Sequence, residues 1–596
     1  MDIEDTLNEN NLRKYYDFTK SFHNIYNNYP DLSFNRLISL ARSQNKTFKL
    51  NVNKMILRAT FLQMVKENLV EKDKNFLKIL IRKPQRSESG VQTISFLTPP
   101  YPKWKDKTTG KMMKQNFSCK HNCYFCPNEI DPVTRKMVMP RSYLSREPAC
   151  LRASRNDFDP IKQIYDRLTT LEKMGHPLDK LEMIVLGGTV LEYPREFLEY
   201  FTTQVFYICN VYPFIDSRPM LTLEEEQNIN MTADIRIIGY TLETRPDGID
   251  HESIHFLRSL GVTRMQIGIQ HTNNRLLEII NRGHTVEDSM RAIKLLKDSG
   301  IKIISHLMPD LPYVKKEEDI EMFNEILNNP DLLCDEYKIY PCVATDFTMI
   351  KKWADEKKYI PNADKDPNYL RDVIGHYMKN VQPWVRVPRI IRDIPNDYIH
   401  YGNKEGHLRE TIDKNVKTNE IRGREIRGNK LTEQPVLVVD SFDSSGAKEY
   451  FIRFESRDRK YILGFCRLRL NNEWNPLLPE LNESAIIREL HVYGNKTVVG
   501  SKTKGVQHLG LGKKLVKRAE WIALKNGYSN ICITSGIGVR EYYKNKLGYH
   551  LEGLYMTKNM VSDMCYKIFQ LIFILLFYIY YIKIFYIIYN GRYNSN

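Results

Sequence analysis

Apolar residues recur at helical spacing through residues 10–80, as in "LSFNRLISLARS" and "KMILRATFLQMVKENLVEK", and the stretch ends in the breaker-rich "IRKPQRSESG". A small helical domain over 1–80 is predicted. From about residue 90 to 345 the pattern changes, and short β-branched runs alternate with amphipathic segments: "KLEMIVLGGT", "IRIIGYTLET", "VTRMQIGIQ", "IKIISHLMPDLP" and "DEYKIYPC". Strand alternating with helix implies a parallel sheet with crossover helices, open or closed as a barrel, assigned to 81–345. Residues 346–430 are rich in Pro and Arg ("WVRVPRIIRDIPNDYIHYGNKEGHLRE", "EIRGREIRG") but too apolar for a flexible linker, and read as a basic connector. Next, "PVLVVDSF", "YFIRFESR", "YILGFCRLRL" and "AIIRELHVYG" predict an antiparallel sheet within 431–560, and "QHLGLGKKLVKRAEWIALKNG" opens a long amphipathic helix. The fold class is α/β, with a second α+β unit behind a barrel-like one.

Charge adds one feature to this layout. The formal net charge is +16, and residues 36–90 concentrate it, with 13 Lys and Arg against 4 Asp and Glu. A basic face of that kind suits a polyanion such as RNA, whereas Lys-rich solvated helices are the plainer reading. The start, "MDIEDTLNENN", is acidic and polar, unlike a secretory or transit signal, so a reducing, cytoplasmic-facing setting is expected. Residues 568–589 form a 22-residue apolar run broken only by Gln570 and Lys583. Its length suits a membrane anchor within a 561–596 tail, and its composition equally suits an unselected extension encoded by A/T-rich DNA.

Candidate chemistry starts at "NFSCKHNCYFCPNEI", where Cys119, Cys123 and Cys126 stand at C-x3-C-x2-C spacing. A structural zinc site closes with four ligands, and His121 lies too tightly between the cysteines for the usual spacing. Three thiolates without a fourth suit a [4Fe-4S] cluster whose remaining iron takes another ligand. In a parallel α/β fold, chemistry gathers where the strands end, and polar groups sit there on five successive runs. They are Gly187-Gly188-Thr189, Glu243 with Arg245, Gln270 with His271, His306, and Lys338 with Tyr340. Gly187 and Gly188 permit close backbone approach to a cofactor, and Glu243 and Arg245 suit ribose hydroxyls and a carboxylate. Any one of these charges alone reads more readily as an ion pair. A second constellation, Val506-Gln507 through Leu509, Gly510, Leu511 and Gly512, offers backbone N–H groups and a helix start to a pyrophosphate. Tyr542 and Tyr543 follow, as core residues or as phenols near a thioester.

The cysteine triplet, with Phe125 before its last member, resembles the radical S-adenosylmethionine superfamily, and "QHLGLG" with "GVREYYKNKLGY" resembles the GNAT acetyltransferases. Together with "KPQRSESG", "ETRPD", "NRGHTVED", "HLMPDLP", "RIIRDIP" and "YYKNKLGYHLEGLYMTKN", residues 80–560 resemble the catalytic third subunit of Elongator, the tRNA uridine carboxymethyltransferase family. The resemblance implies a partial (β/α) barrel followed by a GNAT unit, a cluster on Cys119, Cys123 and Cys126, and S-adenosylmethionine bound by Gly187, Gly188, Glu243, Arg245, Gln270 and Lys338. It also implies acetyl-CoA held by Val506, Gln507, Leu509, Gly510, Leu511, Gly512 and Tyr543, with Tyr542, Tyr543 and Lys338 as catalytic groups. The implied product is 5-carboxymethyluridine at the tRNA wobble position. Arg386, Arg389, Arg392, Arg422 and Arg424 would then contact phosphates. Expected partners are a tRNA anticodon stem-loop, Elongator-type subunits, a second copy of the chain and, through the tail, a membrane.

This sequence departs from that family in three places. The spacer between the first two cysteines is compact, Thr418 stands where a cysteine is common, so no metal site is expected there, and the tail from about 561 is additional. Two other functions fit parts of the sequence. A protein lysine acetyltransferase would use Glu489 or His491 as base, and a non-catalytic tRNA scaffold would need no cluster.

Overall fold

The computed structural model describes residues 9–44, 50–84, 90–106, 108–427, 429, 433–493 and 510–563, together with 576, 579, 581 and 582. Helices fill the N-terminal stretch, among them Tyr16–Asn28, Phe34–Gln44, Lys54–Lys66 and Lys74–Ile79. Their apolar stripes close on a core of their own around Phe18, Phe22, Phe61 and Phe76. Asn53 and Asp73 cap the last two, each accepting two backbone N–H groups.

After β1 (Gln92–Leu97) a short hairpin, β2 (Lys103–Lys105) and β3 (Met112–Lys114), leads into the cysteine loop. Then come β4 (Lys180–Leu186), β5 (Arg236–Thr244), β6 (Arg264–Gln270), β7 (Lys302–Leu307) and β8 (Glu336–Ile339). The short β9 (Ala344–Thr345) pairs later with β11 (Ile399–Tyr401), and β10 (Arg386–Ile390) lies between them in sequence. Strands β1-β4-β5-β6-β7-β8-β10 form one all-parallel sheet, a curled half-barrel. Apolar residues of these strands pack under the outer helices, while Thr93, Ser95, Gln266, His306 and Lys338 face into the curl and line a cavity there. The stretch expected as a connector therefore supplies the last barrel strand, since Arg386–Ile390 pairs with Glu336–Ile339.

The second sheet joins β12 (Val436–Ser444), β13 (Ala447–Glu455), β14 (Ile462–Leu470), β15 (Ser484–Val492), β16 (Asn530–Ile533), β17 (His550–Glu552) and β18 (Tyr555–Asn559). Its order is β12-β13-β14-β15-β16-β18-β17, antiparallel except for β15 with β16. That parallel pair is bonded only over Ser484–Ile487, after which β15 runs on to Val492 paired with β14 alone, its other edge without a strand among the described residues. A cleft opens there, and the helix Leu511–Lys525 lies against β14 and β15 beside it.

A buried layer of ions joins the two sheets. Arg488 on β15 binds Asp335, just before β8, at 2.7 and 2.9 Å, and Glu449 at 3.1 Å. Arg469 meets Asp298 at 2.9 Å and Glu449 at 3.0 Å, while Lys302 on β7 holds Glu336 at 2.6 Å and Glu489 at 2.5 Å. The approach is close at Gly300, φ +71°, where a Cβ would lie 2.2 Å from Thr534 Oγ1. Among the described residues no helix is long and apolar enough to cross a membrane. The anchor expected at 568–589 lies almost wholly outside the described residues.

Candidate active site

The cysteine loop is pinned from several sides. Tyr124 N–H donates to Ile280 O at 2.9 Å, Asn281 Nδ2 to Asn122 O at 2.8 Å, and Arg141 N–H to Ser118 Oγ at 2.8 Å. His121 is engaged at Glu192 Oε1, 3.1 Å away, and so is spent on anchoring the loop. Cys119, Cys123 and Cys126 all line one cavity of about 720 Å³ at the C-terminal ends of the barrel strands. Among the described residues no three His, Cys, Asp or Glu side chains are grouped to hold a single metal ion. Cys123 Sγ receives Nη1 of Arg245 and Nη1 of Arg282, each at 3.6 Å. A hydrogen bond from Cys126 brings the Cys123 thiol down to about 4; burial opposes this, and Arg282 and Arg245 favour the thiolate. The bonded partner moves the other way, the Cys126 thiol being pushed up. Three thiols from one loop, with two fixed guanidinium ions against the deepest, fit an anionic iron–sulfur cluster.

The strand ends around the thiols are tightly specified. Glu243 Oε1 accepts from Gly187 N–H at 2.6 Å, Gly188 N–H at 2.5 Å and Tyr143 Oη–H at 2.5 Å. The two glycines are required sterically: a Cβ at Gly187 would lie 2.2 Å from Thr98 Oγ1, and Gly188 has φ +83°. Arg245 is buried and bound to both oxygens of Asp247 while facing Cys123. Gln270 adopts φ +71° at the end of β6, and among the described residues its buried Oε1 has no hydrogen-bond partner. Deeper in the barrel, Lys338 Nζ donates to Gln266 Oε1 at 2.5 Å, and His306 Nε2 shares that oxygen at 3.0 Å. Burial lowers Lys338 to about 8, against the pull of the Glu243 carboxylate. Burial likewise drops His306 well below its ordinary value, so its ring is neutral and Nε2–H is the donor to Gln266.

Sequence reasoning missed Arg282, Tyr143 and Gln266. Arg282 lies within "NRGHTVED", a stretch singled out without a role, where Gly283 at φ +72° turns the chain so that Arg282 Nη2 also reaches Gly268 O at 2.7 Å. Gln266 was readable from alternation on β6, four residues before Gln270 and on the same face.

The expected phosphate-binding arginines mostly turn inward. Arg386 pairs with Glu425 at 2.5 Å, Arg424 with Glu455, and Arg422 with Pro388 O. Arg392 forks onto both oxygens of Glu147, at 3.1 and 2.6 Å, and lines the cavity, as does Arg389, which pairs with Asp393 at 3.1 Å.

At the second site, Val506, Gln507 and Leu509 lie outside the described residues. Gly510, at φ +65°, and Leu511 and Gly512 begin the helix beside the β15 cleft. Tyr542 is 41 % exposed, and its hydroxyl lies 3.4 Å from where a Gly512 Cβ would be. Tyr543, by contrast, is buried in the core with Tyr549, so only Tyr542 faces the helix start. Glu489 is no free base: Lys302 at 2.5 Å and Arg467 at 2.9 Å hold it, and despite burial it stays ionised, at about 2.

A profile of the Radical SAM superfamily matches residues 116–326, and one of the Radical_SAM C-terminal domain matches 334–418. The tRNA uridine(34) acetyltransferase of Methanocaldococcus infernus is 36% identical over 516 residues, covering 84% of this chain and 91% of its own. The chain belongs to that family. The family includes Elongator complex protein 3 of Homo sapiens, 33% identical over 491 residues, covering 80% of this chain and 86% of the human one. A solved structure of the M. infernus Elongator protein 3, truncated at its N-terminus, superposes with a TM-score of 0.64 at 32% identity, over 79% of this chain and 99% of that one. Radical SAM membership implies a [4Fe-4S] cluster and S-adenosylmethionine, which agrees with the donor set described above.

Proposed function

We propose that this chain is a radical S-adenosylmethionine enzyme that modifies the wobble uridine of tRNA, taking its carbon unit from acetyl-CoA to form 5-carboxymethyluridine. The relatives named as tRNA uridine(34) acetyltransferase and Elongator complex protein 3 support that substrate and an Elongator-type setting. Cys119, Cys123 and Cys126 would hold the cluster, and Gly187, Gly188, Glu243, Arg245 and Gln270 would surround the S-adenosylmethionine. Bound together, cluster and S-adenosylmethionine supply hydrogen-atom abstraction by a 5′-deoxyadenosyl radical. The protein's part is to orient and to exclude water. Arg245 and Arg282 balance thiolate charge, Glu243 locks the Gly187-Gly188 turn, and Lys338 can hold or release a proton on Nζ within the barrel. Acetyl-CoA would enter the cleft between β15 and β16, where the freed β15 backbone offers hydrogen bonds to an amide-bearing chain, and Tyr542 faces the helix start. One C–H bond is lost from the acetyl methyl group and one from uridine C5 as the carbon–carbon bond forms, the two electrons being taken up by cleavage of S-adenosylmethionine to methionine and 5′-deoxyadenosine. Water then hydrolyses the thioester, releasing the CoA thiol and leaving a carboxymethyl group on C5.

The observation that carries this reading is the convergence of three thiols and two guanidinium ions on one cavity, in a barrel bolted by buried ions to the cleft-bearing sheet. The lysine acetyltransferase reading loses its Glu489 base to Lys302 and Arg467. Reconstituted protein, incubated without oxygen with tRNA, S-adenosylmethionine, reductant and methyl-deuterated acetyl-CoA, tests the proposal by nucleoside mass spectrometry. Deuterium is expected in carboxymethyluridine and in 5′-deoxyadenosine. Cys123→Ala abolishes both while leaving tRNA binding nearly unchanged; a Cys123→Ala protein that still makes the nucleoside would refute the cluster role.

A further inference from the structure

The β2–β3 hairpin stands outside the parallel sheet and takes no part in the proposed chemistry. Trp104 roots it, buried against Phe197 with ring centroids 6.5 Å apart. The register sets Lys103 opposite Lys114 and Lys105 opposite Met112, so one outward face carries three exposed lysines and a methionine, with Lys111 at the turn. Two like charges directly across a strand pair repel each other, a cost that a bound polyanion removes. Among the described residues none of Lys103, Lys105, Lys111 and Lys114 has a carboxylate partner; Lys114 lies only over the Tyr101 ring, at 4.8 Å.

Nearby acids are spent on turns. Asp106 accepts from Thr108 N–H, Thr109 N–H and Thr109 Oγ1–H, and Asp131 from Val133 N–H and Thr134 N–H. The hairpin leads straight to the cavity wall. Gln115 Nε2 donates to Glu192 O at 3.2 Å, Glu192 holds His121, and Cys119 lies four residues after Gln115. Met112 and Phe117, 66 % and 39 % exposed, add apolar surface beside the cations. Unpaired lysines interleaved with apolar side chains suit a folded RNA, with phosphates on the ammonium groups and unstacked bases on the apolar ones.

We infer that the lysine face of the 103–114 hairpin grips the phosphate backbone of the tRNA and sets the anticodon loop over the cavity. This rests on tRNA being the substrate. The test uses the full chain and an unmodified tRNA transcript, with binding followed by fluorescence anisotropy over a series of KCl concentrations. Replacing Lys103, Lys105, Lys111 and Lys114 together by Ala is expected to weaken binding about tenfold or more and to flatten the slope of log Kd against log salt by about three. Replacing the same four by Arg is expected to keep the wild-type slope. Should the quadruple Ala protein not fold, as judged by circular dichroism, Lys105→Ala and Lys111→Ala singly are expected to lower the slope by about one each. A wild-type slope in the Ala variant overturns the inference while leaving the tRNA reading intact. Failure of the wild type to bind tRNA overturns both. An Ala variant that keeps its tRNA affinity but no longer floats with phosphatidylserine vesicles overturns it in favour of a membrane surface.

Discussion

Lys338 shows how much a single side chain can disclose. Burial holds it near 8, where a lysine ordinarily titrates at 10.5, so between those values the unfolded chain carries the extra proton and the folded one does not. Folding stability therefore rises with pH across that window, by up to about 3 kcal/mol. In Lys338→Met that rise disappears, and chemical denaturation through the window measures it. A rise of equal steepness in the variant would show that another group titrates there. Site residues whose role comes from backbone geometry were legible in the sequence: Gly187, Gly188 and the cysteine spacing announce themselves. Arg282 was not, because its contact with Cys123 depends on the turn at Gly283 bringing a distant segment under the loop. Tyr542 and Tyr543 were indistinguishable by spacing, and only the packing of the helix against Tyr549 separates them.

At the level of elements, the strands were read well because short β-branched runs set between amphipathic helical segments leave little choice. The exceptions are instructive. β10 hides in a Pro- and Arg-rich stretch, since Arg386 finds the largely buried carboxylate of Glu425 while Arg389 stays in solvent beside the exposed Asp393. The hairpin β2–β3, at three residues a strand, is too short for its period to register. Strands β8 and β15 are tied by Arg488, Asp335 and Glu449, all buried. Arg488→Ala takes the forked partner from Asp335 in a dry interior, with Glu449 still held by Arg469 and Lys297, and is expected to cost about 3 kcal/mol. Urea denaturation measures it, and a loss below about 1 kcal/mol would mean that water reaches the layer.

For the whole molecule, the two sheets and their shared ion layer form one body, whereas the N-terminal helices keep a separate aromatic core. Hydrogen exchange is expected to give β8 and β15 one common opening free energy, with the Lys54–Lys66 helix opening more readily. Distinct protection of β8 and β15 would show that the layer does not couple them. The overall order of helices, parallel sheet and antiparallel sheet was legible from period and composition. How the sheets meet was not, because ion pairing between residues 153 positions apart leaves no local trace. The same layer constrains descent. A lineage that loses Arg488 gains a liability at Asp335 unless that residue changes too, so positions 335 and 488 should be inherited as a matched pair, and a chimera taking one sheet from a distant relative should inherit their mismatch.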